Sequence, residues 1–268
     1  MAEDDTSVPS EYFQGTRNST KRSRQPEDKL EMQTLKKRIE ANMPLSIPLT
    51  EALRVGSDFF SYDSIELANR LLGCYLVRKF EDGTVVRGMI VETEAYPGTT
   101  DVASHTYNGK RTQRNEAMYM SQGTSYVYFT YGMYYCFNIV AKIPGSAVLI
   151  RAVHPTHGEE RMVINRASKR KAALTRPFKS HELCSGPSKL CIAFDIDKLQ
   201  FNEQNLIGNN FLWIEQGENI PLDQIVTSTR IGISGAGRES ASKLLRFYVL
   251  SNPSVSVRDK AAELAKAK

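Results

Sequence analysis

The sequence predicts an α+β fold, a single compact domain in which a curved, mostly antiparallel sheet is surrounded by helices and carries a protruding β-hairpin. Two observations lead to this prediction. Alternating apolar patterns typical of strands are interspersed with helical patterns along most of the chain. No internal repeat divides it, so we expect one domain over residues 48–258. An apolar fraction of 41% is ample for its core.

Residues 1–47 are predicted to be a disordered charged tail, and residues 259–268 a short C-terminal tail. The first segment is polar and poor in large aliphatic residues, so it cannot offset its ordering entropy. Its two basic clusters, "KRSR" and "LKKR", have a spacing close to that of a two-part nuclear import signal. A solvated charged tail explains them equally well. On the import interpretation we expect the nucleus.

The first elements of the domain are a helix and a hairpin. Asp63 or Ser64 can cap a helix that runs through Leu72. Gly73 suits the end of this helix. A strand from residue 74, a turn at "EDG" and a second strand from residue 84 then predict a β-hairpin.

A long loop and further strands follow. Residues 97–115 are rich in Gly, Thr, Asn and basic residues, which is typical of a functional or disordered loop. The segment "AMYMSQGTSYVYFTYGMYYCFNIVAK" predicts two strands with Gly132 and Met133 at a hairpin tip, and "AVLIRAVHP" predicts a strand ending at Pro155. Helical patterns in "GEERMVINRASKRKA" and "CSGPSKLCIAF" precede a loop at "RIGISGAGRES" and a strand in "LLRFYVL".

Charge and cysteine content limit the class of protein. The formal charge is +5, and the first 45 residues are balanced, so the excess of basic residues belongs to the domain. This excess is mild, and recognition of a polyanion would need a concentrated patch. No apolar run of about 18 residues and no secretory leader pattern occur, so we expect neither secretion nor a membrane span. Cys74, Cys136, Cys184 and Cys191 form no C-x-x-C pair and are predicted to be buried thiols.

Two glutamates, Glu92 and Glu94, interrupt an otherwise core-like strand, "VRGMIVETEAYPG". Residues i and i+2 of a strand share a face about 6 to 7 Å apart, so both carboxylates point the same way. Paired acids are the working parts of glycoside hydrolases. A bond between a sugar and a cationic base needs only one carboxylate, which leaves a structural task for Glu92. Arg151, at the end of "AVLIR", is a candidate to hold a carboxylate or its water.

Six of the twelve tyrosines lie between Tyr119 and Tyr135. Strand alternation places Tyr126 and Tyr128 on one face and residues 127, 129 and 131 on the other, so some rings must face solvent or ligand. Such rings offer stacking platforms for planar heterocycles, each worth about 1 to 3 kcal/mol with a base. An aromatic-rich sheet without a ligand explains the cluster at least as well.

Basic residues in the loop "SHTYNGKRTQRN" suit contacts with the phosphates of a polyanion, and the candidates are Lys110, Arg111 and Arg114. Solvated loop charges are the commoner meaning of such a pattern. His154 and His157 have a spacing seen in metal ligands, but Pro155 and the lack of further ligands argue against a metal. We expect no metal and no cofactor.

Six collinear segments carry a resemblance that covers nearly all of residues 52–258. They are "GMIVETEAYPG", "ASHTYNGKRTQRN", "YVYFTYGMYYCFNIV", "VLIRAVHP", "ELCSGPSKLC" and "LRFYV". Through them the sequence resembles the alkyladenine (3-methyladenine) DNA glycosylase family. The family usually has proline at the position of Gln113, which makes the assignment of the neighbouring Arg114 less secure.

The resemblance implies a role for individual residues. Glu94 matches the general base that activates water, and Arg151 matches the arginine that helps to position this water. The flipped base would be enclosed by side chains at three matching positions and restricted by an asparagine, and one aromatic ring would enter the duplex. These matches are Tyr96, His105 and Tyr128 for the base, Asn138 for the purine 2-amino group, and Tyr131 for insertion.

The activity implied is that of a monofunctional DNA glycosylase. It would flip and excise alkylated or deaminated purines (3-methyladenine, 7-methylguanine, hypoxanthine, ethenoadenine) by water attack on the N-glycosidic bond, which starts base excision repair. No lysine matches a Schiff-base nucleophile. The implied partner is double-stranded DNA with damaged purines, bound by a monomer. Two alternatives stay open: a non-catalytic binder of damaged or single-stranded nucleic acid, and a hydrolase of carbohydrate glycosides.

Overall fold

The first helix and hairpin form as predicted. The computed structural model describes residues 53–170, 176–233, 235 and 237–266, so the predicted tail at 1–47 and its basic clusters lie outside the described residues. Helix α1 spans Ser64–Leu71, and the Asp63 side chain accepts hydrogen bonds from two amides of its first turn. Gly73 follows at a φ of 86°, where a Cβ would lie 2.1 Å from the carbonyl oxygen of Glu218, so only glycine fits.

Eight strands of the described residues form one sheet. They are β1 Tyr75–Lys79, β2 Val85–Tyr96, β3 Ser125–Thr130, β4 Tyr134–Val140, β5 Ala147–His157, β6 Leu212–Glu215, β7 Ile225–Ser228 and β8 Arg246–Val249. Every pairing is antiparallel, in the order β3-β4-β5-β2-β1-β6, and β8 pairs with both β2 and β7. The α+β prediction is therefore confirmed.

Strand β2 is the centre of the sheet. Its first half pairs with β1 on one edge, its residues 92–94 pair with β8 on the same edge, and β5 covers the other edge along nearly its whole length. The second half of β2 thus has neighbours on both sides. This arrangement buries Glu92 and Glu94 in the middle of the sheet.

Five further helices of the described residues surround the sheet. They are α2 Glu159–Ser168, α3 Pro187–Ala193, α4 Lys198–Phe201, α5 Gly237–Ser242 and α6 Lys260–Lys266. Pro187 occupies the first turn of α3. The main core is formed by apolar side chains of α1, α3 and the sheet, among them Leu67, Val127, Phe137 and Leu190. No helix among the described ranges has the length and hydropathy that crossing a bilayer requires.

Three boundaries differ from the sequence-based expectations. Strand β5 continues past Pro155 to His157, because Pro155 lies opposite Gly88 beside a register shift, where a missing N–H is tolerated. Helix α5 falls within the segment expected to be loop, and α6 lies in the segment expected to be a short tail. Both are short helices, which periodicity detects poorly. The four cysteines are free and buried, as predicted.

Candidate active site

A cavity of about 540 Å³ opens beside the β3–β4 hairpin, and its volume suits a small ligand. Six of the side chains selected from the sequence line it: Tyr96, His105, Tyr128, Tyr131, Asn138 and Arg151. Glu94 is completely buried directly behind Tyr96 and Arg151. The fold therefore brings together residues that are up to 57 positions apart in the chain.

Glu94 is surrounded by hydrogen-bond donors. Its Oε1 accepts from the backbone N–H of Ile231 at 2.7 Å and lies 3.1 Å from Nη1 of Arg151. Its Oε2 accepts from the hydroxyl of Tyr96 at 2.9 Å. The geometry thus suits a base held in a fixed orientation.

Arg151 joins both glutamates of β2. Its Nε lies 3.2 Å from Oε1 of Glu92, while Nη1 reaches Glu94. Between β2 and β5 the register shifts at this point, since Thr93 pairs with Ile150 and Glu92 with Ala152, which leaves Arg151 without a partner residue. Such irregularities re-aim side chains beside active sites. Burial opposes the charge of Arg151, but the two carboxylates raise its pKa, so it remains a cation.

Glu92 has no access to the cavity. It is 1% exposed, and its Oε1 also accepts a hydrogen bond from Nη1 of Arg246 at 2.9 Å. Arg246 in turn donates to the carbonyl oxygens of Thr229 and Val257. Glu92 therefore links two buried arginines, in agreement with the structural role expected for it.

The aromatic part of the cavity wall is ordered by hydrogen bonds. The Nδ1 atom of His105 lies 2.8 Å from the hydroxyl of Tyr126, and its ring meets that of Tyr128 edge-on at 4.7 Å. Desolvation by the wall lowers the pKa of His105 to about 4, with Arg114 and Lys110 adding to the effect. Burial raises the pKa of Tyr126, which keeps its hydroxyl protonated. A neutral His105 that accepts this proton at Nδ1 carries its own at Nε2.

Asn138 and Tyr131 occupy opposite ends of the β3–β4 hairpin. Asn138 is 4% exposed and donates a hydrogen bond to the backbone oxygen of Tyr126 at 3.0 Å, so its amide is fixed in the cavity wall. Tyr131 lies at the tip, is 80% exposed and has a φ of 51°. Phe129 and Met133, also exposed, flank it. The tip thus presents an apolar surface to solvent.

The three basic candidates have different surroundings. Arg111 forms a two-point ion pair with Glu116 at the surface, and the guanidinium of Arg114 lies 5.7 Å from the ring centre of Tyr128. Asn115 holds the loop by donating to the carbonyl oxygens of His105 and Lys110. None of the three basic side chains lines the cavity.

Other parts of the site were not identified from the sequence. These are the backbone N–H of Ile231, the Tyr126 hydroxyl and Arg246. A charged residue within the apolar strand "LLRFYVL" was a usable signal for Arg246, but a backbone donor leaves no trace in the side-chain pattern. Within the described ranges no three His, Cys, Asp or Glu side chains come together as a metal site. His154 instead pairs with the Ser254 hydroxyl at 3.0 Å.

Comparisons with known proteins agree with this geometry. The family model described as methylpurine-DNA glycosylase matches residues 58–253. The chain is similar to the mouse protein named DNA-3-methyladenine glycosylase, with 46% identity over 81% of the chain and 66% of that protein. It is similar to the human and rat proteins of the same name, with 45% and 44% identity over 81% of the chain and 73% and 68% of those proteins. The chain thus spans about two thirds of its mouse relative.

Proposed function

The chain belongs to the methylpurine-DNA glycosylase family, and we propose that it is a monofunctional DNA glycosylase that hydrolyses the N-glycosidic bond of damaged purines in double-stranded DNA. The substrates proposed are 3-methyladenine, 7-methylguanine, hypoxanthine and ethenoadenine. The enzyme works as a monomer in the nucleus and starts base excision repair. The observation that carries the proposal is the buried Glu94 carboxylate, with its three donors, directly behind an aromatic cavity.

In the proposed reaction, Glu94 accepts a proton from a water molecule as this water attacks the anomeric carbon of the deoxyribose. The bond between sugar and base breaks, and its electron pair leaves with the purine. A cationic base leaves as a neutral molecule, and a neutral base leaves as an anion that takes up a proton from solvent. Negative charge on Glu94 also stabilises the positive charge that develops on the sugar. Arg151 holds the carboxylate and helps to orient the water. The products are a free base and an abasic strand that is still intact.

The aromatic side chains enclose the extruded base. Tyr96, His105 and Tyr128 provide flat surfaces for it, and each stacked face is worth about 1 to 3 kcal/mol. Asn138, fixed in the wall, crowds a purine 2-amino group and so disfavours normal guanine. In the free protein the rings of His105 and Tyr128 are 4.7 Å apart, less than the roughly 7 Å that a stacked base between them needs, so one must move.

The exposed hairpin tip supports base flipping. Extrusion of a nucleotide costs a few kcal/mol, least for a damaged or poorly paired base. Tyr131 is an exposed ring on a protruding turn, which suits insertion between base pairs. Lys110, Arg111 and Arg114 are the proposed contacts with the DNA backbone.

The carbohydrate alternative depends on a pair of acids, which the surroundings of Glu92 do not favour. Glu92 is held between two arginines and does not line the cavity. Two carboxylates flanking a scissile bond both need access to it. Only Glu94 adjoins the cavity wall, and a single carboxylate suits a bond whose leaving group is already activated.

The test is excision from a duplex that carries one hypoxanthine or one 7-methylguanine. We expect the wild-type protein to release the base and leave an alkali-labile site, and Glu94→Gln to remove this activity. Intact DNA after incubation with the wild type would contradict the proposal. Full activity of Glu94→Gln would contradict the assignment of the base. Damage-specific binding without release by the wild type would favour the non-catalytic binder instead.

A further inference from the structure

We infer that Arg230 is a positioning residue that fixes both Glu94 and Tyr96, an inference that rests on the proposed function. Arg230 does not line the cavity and touches neither the sugar nor the base in the proposed reaction. It acts through the two segments that it joins, the end of β2 and the loop after β7.

Arg230 is held in one orientation by a buried ion pair. Its Nη2 donates to Oδ1 of Asp101 at 2.9 Å, and its Nη1 donates to the other oxygen of the same carboxylate. The hydroxyl of Ser240 also donates to Asp101, at 3.0 Å. The side chain of Arg230 is 0% exposed and that of Asp101 is 2% exposed. A buried two-point pair of this kind fixes the plane of the guanidinium.

The first link runs to Glu94 through the backbone. Arg230 directly precedes Ile231, whose N–H donates to Glu94 at 2.7 Å. The Nη1 of Arg230 also donates to the carbonyl oxygen of Ala95 at 3.1 Å, and Ala95 lies between Glu94 and Tyr96. Arg230 thus ties the donor of Ile231 to the same stretch of β2 that carries the acceptor.

The second link runs to Tyr96 through its ring. The guanidinium carbon of Arg230 lies 4.7 Å from the ring centre of Tyr96, within the range of a cation–π contact. Tyr96 is the residue whose ring faces the cavity and whose hydroxyl donates to Glu94. A fixed cation on this ring restricts its rotation. The same side chain therefore sets the stacking surface and the hydrogen bond to the proposed base.

A second arginine–carboxylate pair with an aromatic contact lies on β2, away from the cavity. Arg87 pairs with Glu215 at 2.9 Å and lies over the ring of Tyr75 at 3.3 Å, at the far end of the strand from the cavity. It is seven residues from Glu94, about 23 Å along an extended strand. Arg87→Lys is the control, because it removes an arginine–carboxylate contact and a contact with a tyrosine ring away from the site.

Charged or titratable groups face Glu94 from three strands. They are Arg151 on β5, Tyr96 and Glu92 on β2, and Cys136 on β4. None of them changes in a variant at Arg230 or Asp101. A shift in the pH profile of such a variant therefore reports the displacement of the Ile231 donor or of Tyr96.

The experiment measures excision of ethenoadenine from a duplex under enzyme excess, across pH, for wild type, Arg230→Lys, Asp101→Asn and Arg87→Lys. We expect Arg230→Lys and Asp101→Asn to excise at least tenfold more slowly at saturation. Their pH–rate profiles differ from that of the wild type, because the donors around Glu94 are displaced. Arg87→Lys stays within twofold of wild type, whatever its loss in melting temperature. Emission of bound ethenoadenine, measured in the Glu94→Gln background, changes with Arg230→Lys because the stacking changes.

The positioning role would be overturned if Arg230→Lys matched Arg87→Lys in rate, pH profile and ethenoadenine emission. The proposed function would be unaffected by this result as long as the wild type is active. Absence of release by the wild type would overturn the proposed function, and the positioning role with it. If Arg230→Lys does not fold, Asp101→Asn decides, because it keeps the shape of the side chain while it removes the charge and one of the two acceptors for Arg230.

Discussion

Glu92 and Glu94 are two residues apart on β2, and their surroundings assign them different tasks. Glu94 has donors on both oxygens and adjoins the cavity wall, whereas Glu92 bridges Arg151 and Arg246 in the interior. Two arginines near two carboxylates leave the group without net charge. The pairing keeps Arg151 in place beside Glu94, so Glu92 supports the residue that we propose as the base.

Replacement of Glu92 by glutamine tests this division. Glu92→Gln leaves Arg246 without its buried countercharge, and we expect a loss of about 3 kcal/mol in the free energy of unfolding, measured in urea. Glu66→Gln is the control, because its partner Arg70 is exposed and the change should stay within about 1 kcal/mol. Equal effects of the two substitutions would contradict the role of Glu92.

His105 gives a prediction for pH. Its pKa of about 4 lies below the unfolded value, so the folded state disfavours the proton. The stability that depends on a neutral His105 is therefore complete above about pH 6.5 and is lost as the pH falls towards 4. In NMR spectra we expect the imidazole to titrate near pH 4, and Arg114→Met to move its pKa upwards. Titration at pH 6.5 in the folded protein would contradict the environment described.

At the scale of elements, strand alternation gives the two faces of the β3–β4 hairpin different tasks, since one face lines the cavity and the other packs into the core. Tyr126 and Tyr128 face the cavity, while Val127 packs into the main core. The turn between the strands then carries Tyr131 away from both. One hairpin can thus line a pocket, stabilise the core and present a wedge.

Because of its backbone conformation, Tyr131 can be replaced so that the proposed inserting ring is lost while the turn stays stable. A φ of 51° is unfavourable for tyrosine and better tolerated by asparagine. We expect Tyr131→Asn to keep or slightly raise the melting temperature. We also expect it to slow excision from a fully paired duplex by roughly tenfold, since an unstacked base step costs a few kcal/mol.

The same damaged base in a mispaired site supplies the control for Tyr131. Flipping from such a site costs less, so the defect should shrink there. A defect of equal size in both duplexes would show that Tyr131 does not act as a wedge.

At the scale of the whole molecule, the proposed function implies an encounter with DNA to which the charge of the protein contributes. The formal charge of +5 is modest, so the contribution of individual basic residues is measurable. The salt dependence of duplex binding is the slope of the logarithm of the binding constant against the logarithm of the salt concentration. We expect Lys110→Met and Arg114→Met each to reduce this slope by about one, measured by anisotropy between 50 and 200 mM salt. Lys79→Met, on β1, is the control.

Arg111 should behave differently because Glu116 competes for it. Glu116→Gln removes the ion pair and is expected to tighten binding to undamaged duplex and steepen its salt dependence. Unchanged binding would indicate that Arg111 does not reach the phosphates.

Much of the architecture was predictable because it is locally encoded. Asp63 caps α1, Gly73 ends its segment and the "EDG" turn joins β1 to β2, as expected from the residues alone. Short elements such as α5 and α6 were not predicted, since a helix of six or seven residues has too few periods to be recognised. Helix α6 lies against β7, and Ser240 of α5 donates a hydrogen bond to Asp101, so both helices contact segments distant in the chain.

The parts of the site that consist of side chains with a proposed role were predictable from the sequence. The contacts between distant segments that orient these side chains were not. Resemblance indicated Glu94, Arg151, Tyr96 and His105, and the fold brings them together. The donor from Ile231 lies 137 residues from Glu94, and Asp101 lies 129 residues from Arg230. No pattern within a strand or loop encodes such pairs.

The sequence by itself determined the fold class, the family, the buried thiols and six of the side chains that line the cavity. Tertiary structure alone decided that Glu92 and Glu94 have unequal surroundings, that a register shift aims Arg151 at both, and that Arg230 joins two segments behind Tyr96. The physical reason is the separation along the chain between the residues that interact. Caps, turns and alternation depend on neighbours a few residues away, whereas hydrogen bonds to a buried carboxylate depend on which distant strands and loops the core places beside it.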